Sequence, residues 1–175
     1  MKKLTKILAL ALMMALVVTV FAACGDKKEG AETADNAGEA ASAKGETQTW
    51  GNITIFVPDD YKLTGGDMFD AENPDKLTLN TKSDSSFEYV MVSANFTEDN
   101  AVMSLDTTRE LNEGCEDVEI TAGANKWTGV AYNSLGVDCV ALYAQIGEGY
   151  VVLNSSGMGK DNASLKAILE SIVVK

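Results

Sequence analysis

Three apolar runs in the second half of the chain, Trp127 to Tyr132, Val137 to Ile146 and Tyr150 to Asn154, are separated only by residues 133–136 and by Gly147-Glu148-Gly149. A parallel crossover takes a dozen residues or more, so gaps this short make the three runs antiparallel neighbours joined by tight turns. Any fold of this chain has to be built around that meander. A weaker strand, Val118 to Thr121, is expected just before it. Upstream, Ile53, Ile55 and Val57 alternate with Asn52, Thr54 and Phe56, the period of a half-buried strand, which Pro58 stops. Pro58-Asp59-Asp60 and Gly65-Gly66 are turn signals, and residues 67–76 read as a loop or one short helical turn. Leu77, Leu79 and Thr81 mark a second strand, and Phe87 to Ala94 a third.

Two segments have the other period. Thr97 is placed to cap a helix, with Glu98 and Asp99 in the first turn, where the helix dipole favours negative charge. Val102, Leu105 and Leu111 are its expected apolar face, and Gly114 its stop. At the end of the chain, Asp161 or Asn162 caps a second helix, in which Leu165, Ile168, Leu169 and Ile172 follow the i, i+3, i+4, i+7 rule. A stripe of that kind needs a sheet face to sit on. The expected class is therefore α+β, with a mostly antiparallel sheet of about six to seven strands and two main helices packed on it.

The start of the chain is of a different kind. Lys2, Lys3 and Lys6 form a basic head, Ile7 to Val20 run apolar apart from Thr19, and Phe21-Ala22-Ala23 lead to Cys24. Basic head, apolar run and small-residue exit describe a secretory signal peptide over residues 1–23. The run is shorter than the roughly 20 residues that span a bilayer, which favours a cleaved signal over a permanent transmembrane helix. Phe21-Ala22-Ala23-Cys24 resembles the lipobox of bacterial lipoproteins, with Phe21 where an aliphatic residue is usual. The resemblance implies that lipoprotein-processing enzymes lipidate Cys24 and cut just before it. Acyl chains such as palmitate would then hold the chain in the bilayer, on the extracytoplasmic face of a cell membrane. One chain, at about 0.8 kcal/mol per buried CH2, binds marginally, and two or three hold firmly. The alternatives are an uncleaved anchor and an ordinary signal followed by a chance cysteine.

Residues 25–49 contain no aromatic residue and no Val, Ile, Leu or Met. Such a stretch cannot bury enough apolar surface to offset chain entropy, so residues 24–49 are expected to be a lipidated cysteine and a disordered tether. Trp50 to Lys175 then form a single domain. Loss of residues 1–23 removes three lysines and no acid, taking the formal charge from −12 to −15. That balance argues against nucleic acid as a partner, since phosphates are neutralised by Lys and Arg.

The chain has no histidine. This removes Ser-His-Asp and Cys-His catalysis and the common zinc sites. Carboxylates remain, as Asp67 with Asp70 and Glu72, or Glu116 with Asp117 and Glu119, but sequence neighbours give no sign of the fixed separation that glycosidase chemistry requires. The acidic loop from Asp67 to Asp75 lacks the EF-hand spacing, so no metal ligand and no cofactor is assigned. Gly157-Met158-Gly159-Lys160 departs from a phosphate loop, with Asn154 and Asp161 at required positions, and is expected to be a turn. Cys115 and Cys139 are candidates for a disulfide closing about 25 residues, with two free thiols as the alternative.

The opening ITIFVPDDYK, the central helix, the meander ending GEGYVVLNSSG and the closing SLKAILESIVVK together resemble the PsbP/Mog1-like family of small α+β domains. That resemblance implies an accessory or binding protein without catalysis and transfers no functional residue. The expectation is a lipid-anchored, non-catalytic binding or accessory domain with an envelope protein as its partner. The alternatives are a small-molecule or metal-ion-binding lipoprotein and a carboxylate-based hydrolase.

Overall fold

The central meander of the computed structural model has four strands: β6 (Glu116–Ala122), β7 (Asn125–Ser134), β8 (Val137–Ile146) and β9 (Gly149–Ser156). Each is antiparallel to the next. The innermost pairs are Ala122 with Asn125, Ser134 with Val137 and Ile146 with Gly149, which leaves two residues in each turn. Gly123, Gly136 and Gly147 take positive φ there, as tight hairpins that follow the strand twist require. Residues 43–66, 70–83 and 88–175 are described. The expected signal peptide, Cys24 and the tether up to residue 42 lie outside them.

Three further strands extend this meander: β3 (Tyr61–Gly65), β4 (Lys76–Thr81) and β5 (Tyr89–Phe96). The seven-stranded sheet has the order β3-β4-β5-β9-β8-β7-β6, antiparallel at every pair. This order dictates a long crossing. β5 and β6 follow one another in sequence yet lie four strand spacings apart, roughly 19 Å. Helix α1 (Glu98–Leu111) makes the crossing, and its 14 residues rise about 21 Å. It passes over β9, β8 and β7 on the outer face, where Leu105 packs with Val130 and Ala141. Thr97 caps it as expected, accepting from the Asn100 N–H.

The inner face is covered by helix α2 (Ala163–Ser171) and by a small sheet of β1 (Gly45–Trp50), β2 (Ile53–Pro58) and β10 (Val173–Val174), in the order β1-β2-β10. Alternate residues of β2, Ile53, Ile55 and Val57, meet Leu77, Leu79, Val90, Val92, Leu142 and Leu153 from the large sheet. Leu165, Ile168, Leu169 and Ile172 of the closing helix complete this core, all of them buried. Asn162 caps α2 by accepting from the Ser164 and Leu165 N–H groups. At its other end, the Ser171 hydroxyl accepts from the Phe56 N–H (2.7 Å) and donates to the Ile168 carbonyl (2.8 Å), fixing the helix to β2. The α+β class, the antiparallel sheet and the two helices match expectation, and the small sheet is an addition to it.

Two expectations need correction. The domain starts before Trp50: all of β1 pairs with β2, from Gly45 opposite Pro58 to Trp50 opposite Ile53. Polar side chains hid this strand, because an edge strand is held by its backbone. The Trp50 indole also lies against Gly65, where any Cβ would run into it, and donates to the Asn73 carbonyl (3.1 Å). Of the apolar face expected for α1, Leu105 is buried, but Val102 and Leu111 are exposed. Val102 and Leu111 are nine residues apart, on opposite sides of a helix. The buried residues are Ala101 and Leu105, while Leu111 is 78% exposed.

Limited proteolysis of the protein should therefore cut first upstream of Gly45 and leave a resistant fragment that retains Gly45–Trp50. A first cut between Glu46 and Trp50, read from the fragment's N-terminal residue, would contradict β1.

Candidate functional site

Three segments brought together at one end of the strands form an open cleft of about 440 Å³. The β7–β8 hairpin contributes Tyr132, Asn133, Asp138 and Cys139, the start of β6 contributes Glu116, and the β9–α2 loop contributes Gly157 to Asn162 except Met158. The loop owes its shape to its glycines. Gly157 has φ +89, its N–H donates to the Asp138 carbonyl (3.0 Å), and a Cβ there would strike the Glu88 side chain. Met158 turns inward to the core, and its carbonyl accepts from the buried Ser155 hydroxyl at 2.6 Å. The segment is a turn, as its sequence indicated, yet it forms a wall of this cleft.

The cleft carries three carboxylates, Glu116, Asp138 and Asp161, against one cation, Lys160. Lys160 Nζ meets Glu116 Oε2 at 2.7 Å across the mouth. The hydrogen bond and the charge of Lys160 hold the Glu116 carboxyl below its ordinary range, and the same pair raises Lys160. Asp138 accepts from the Asn133 amide at 3.1 Å. Burial, helped by the neighbouring Cys139, Tyr89 and Cys115, pushes the Tyr132 phenol up to about 12, so it stays a neutral hydrogen-bond donor near neutrality. The arrangement can hold a small polar or cationic group by hydrogen bonds. It opposes general acid catalysis by Glu116, which would require a raised carboxyl.

Among the described residues, the other carboxylates singled out from the sequence do not gather into one site. On β6, Glu116 pairs with Lys160, Asp117 with Arg109 (2.7 Å) and Glu119 with Lys126 (3.0 Å), three separate cations. In the acidic loop, Asp75 Oδ1 accepts from the amides of Asn52 (2.8 Å) and Asn95 (2.7 Å), tying the β1–β2 turn to the end of β5. Asp67 lies outside the described residues. Among the described residues, no three Asp, Glu or Cys side chains gather where they could hold a metal ion.

Cys115 and Cys139 are free thiols in the structure, donating to the Asn112 and Val137 carbonyls. Tyr132 stands opposite Cys139 in the β7–β8 ladder, and the β6–β7 register, with Glu116 opposite Ala131, puts Cys115 on the other side of Tyr132. The two cysteines are thus separated by a whole strand, about 9–10 Å. A disulfide needs Cα atoms within about 7 Å, so of the two alternatives the structure has the free thiols, and a bridge would require moving the sheet. Cys24, the expected lipidation site, lies outside the described residues.

No protein-family model matches the chain, and no curated protein does. Among solved structures, it is similar to a crystal structure from Bacteroides thetaiotaomicron at 9% identity, with a TM-score of 0.44 and coverage of 75% of this chain. The chain spans about half of that protein's length, 48%. It is also similar to the solution structure of the cyanobacterial PsbP protein CyanoP from Synechocystis at 11% identity, with a TM-score of 0.44. That match covers 82% of this chain and 98% of the other.

The thiol geometry is directly measurable. In the native protein Cys115, half-buried, should react with an alkylating reagent well before Cys139, which is 4% exposed, and both should react once the protein is unfolded. A peptide map showing the two joined by a disulfide would contradict the register.

Proposed function

We propose that this chain is a lipoprotein anchored to the extracytoplasmic face of a bacterial membrane through Cys24, and that its α+β domain is a non-catalytic binding or accessory domain. The observation that carries the reading is the order of its segments: Lys2, Lys3 and Lys6, the apolar run from Ile7 to Val20, Phe21-Ala22-Ala23-Cys24, a polar stretch, and then a folded domain. The partners that follow are the lipid bilayer, the lipoprotein-processing enzymes and a protein of the cell envelope. The ion pairs of the β6 carboxylates and the depressed Glu116 favour binding over acid–base chemistry.

A second reading, a lipoprotein that binds a small polar molecule, draws on the cleft between the β7–β8 hairpin and the β9–α2 loop. Its excess of carboxylates suits a ligand with amino groups better than an anionic one.

Cells supplied with labelled palmitate test the anchoring reading. The wild-type protein should take up label and fractionate with the membrane, and Cys24→Ala should lose all label and accumulate as precursor or as released protein. Label retained by Cys24→Ala would show the anchor to be elsewhere.

A further inference from the structure

The two-residue turn between β7 and β8 holds Leu135 at φ 54 and Gly136 at φ 86. Positive φ at both positions is what this hairpin needs, and Asn-Gly or Asp-Gly normally supplies it. A leucine there is strained, because its Cβ crowds the following carbonyl. Among the described residues the other non-glycine with positive φ is Asn95, a residue type that tolerates the conformation and whose amide is bonded to Asp75. Leu135 has no such excuse, and its side chain is fully exposed (103%), with Val137 beside it at 38%. Backbone and solvent both disfavour leucine at this position. An outlier of this sort is a reason to look for function at the hairpin tip.

We infer that Leu135, with Val137 beside it, is the domain's contact with the bilayer, and that the hairpin tip enters the boundary between head groups and acyl chains. This rests on the anchoring reading. The chain enters the domain at Lys44, whose carbonyl accepts from the Asp59 N–H next to the start of β3. The paired residues Tyr61 with Thr81, Asn80 with Tyr89, Tyr89 with Ser156, Cys139 with Ser156 and Tyr132 with Cys139 carry that same end of the strands across to the β7–β8 tip. From Cys24 to Lys44 the chain can extend to roughly 65–70 Å, about twice the 33 Å length of a ten-residue strand. The tip is therefore within reach of the lipid that Cys24 would enter. Residues 133–137, Asn-Ser-Leu-Gly-Val, carry no charge, so entry into the head-group layer strips none of water. At −15 the chain from Cys24 onward is not drawn to anionic lipid, which leaves an apolar contact as the means of orientation. The acyl chains supply the anchorage and Leu135 the orientation. Because Asn133 and Asp138 also line the cleft, the contact sets the cleft beside the membrane surface.

The mature lipoprotein carrying Leu135→Trp, reconstituted into phosphatidylcholine vesicles with brominated acyl chains, tests this. The emission that the new indole adds to that of Trp50 and Trp127 should be mostly quenched relative to vesicles without bromine. Unquenched emission from protein that floats with the vesicles overturns the lipid contact and is the result expected if the tip meets a protein instead. Protein that does not float at all overturns the anchoring reading, and the inference with it. In parallel, Leu135→Asn should raise the thermal midpoint, by about 2–6 °C, through relief of the turn. A lower midpoint would mean that the leucine serves the fold, and would overturn the inference.

Discussion

A seven-stranded sheet in which successive side chains alternate between apolar and polar has one face that cannot be left in water. Here that face runs from Tyr61 and Leu63 on β3 to Val118 and Ile120 on β6, with Val90, Leu142 and Leu153 between. No single helix is wide enough to cover it. The chain closes it with two elements from its opposite ends, β2 near the start and α2 near the finish, and these touch each other as well as the sheet. The rest follows from that closure. β1 exists because β2 offers it an edge, and β10 pairs with the other edge of β2 directly after α2. The Ser171 hydroxyl, bonded to the Phe56 N–H, joins the two halves of the cover.

The outer face obeys a different constraint. Because β9 inserts beside β5, the chain must travel from β5 to the far edge before the meander can return. Helix α1 is as long as that journey and is only lightly buried, through Ala101 and Leu105. Strands β7, β8 and β9 lie beneath it. The β7–β8 turn and the β9–α2 loop reach beyond the sheet at the end where Tyr132 and Cys139 pair, and there the cleft and the Leu135 turn are found together. The scaffold is thus spent on a core at the centre, and the features with chemical character sit at one margin of it.

What the sequence reveals divides along the same lines. Elements whose burial imposes a period were legible: Val137–Ile146 has the limits expected of it, and the closing helix buries the residues its spacing named. Elements held by backbone pairing were not. β1 has a polar sequence, and β3, Tyr61–Gly65, is a short run between two turn signals that carries no strand signal of its own. In α1 the apolar residues are spread around the helix, so Val102 and Leu111 were grouped with a face that Ala101 and Leu105 occupy. The cleft was illegible for a further reason. Glu116, Asp138 and Lys160 are far apart in sequence, and only the strand register makes them neighbours. The cysteines show the converse, since a spacing that allowed a bridge places them on either side of Tyr132, a separation that only the strand register reveals.

If closure of the inner face by β2 and α2 underlies the fold, removing part of the cover should cost the whole domain and not a local segment. Leu169 is the most direct place to ask, because its side chain is 0% exposed and belongs to the same core as β2 and the sheet. Urea unfolding of Leu169→Ala should show one cooperative transition with an unchanged slope and a stability lower by about 2–5 kcal/mol. That is a large part of the roughly 5–15 kcal/mol a domain of this size has. A midpoint equal to that of the wild type would contradict the account and show that the sheet is closed by something other than this helix.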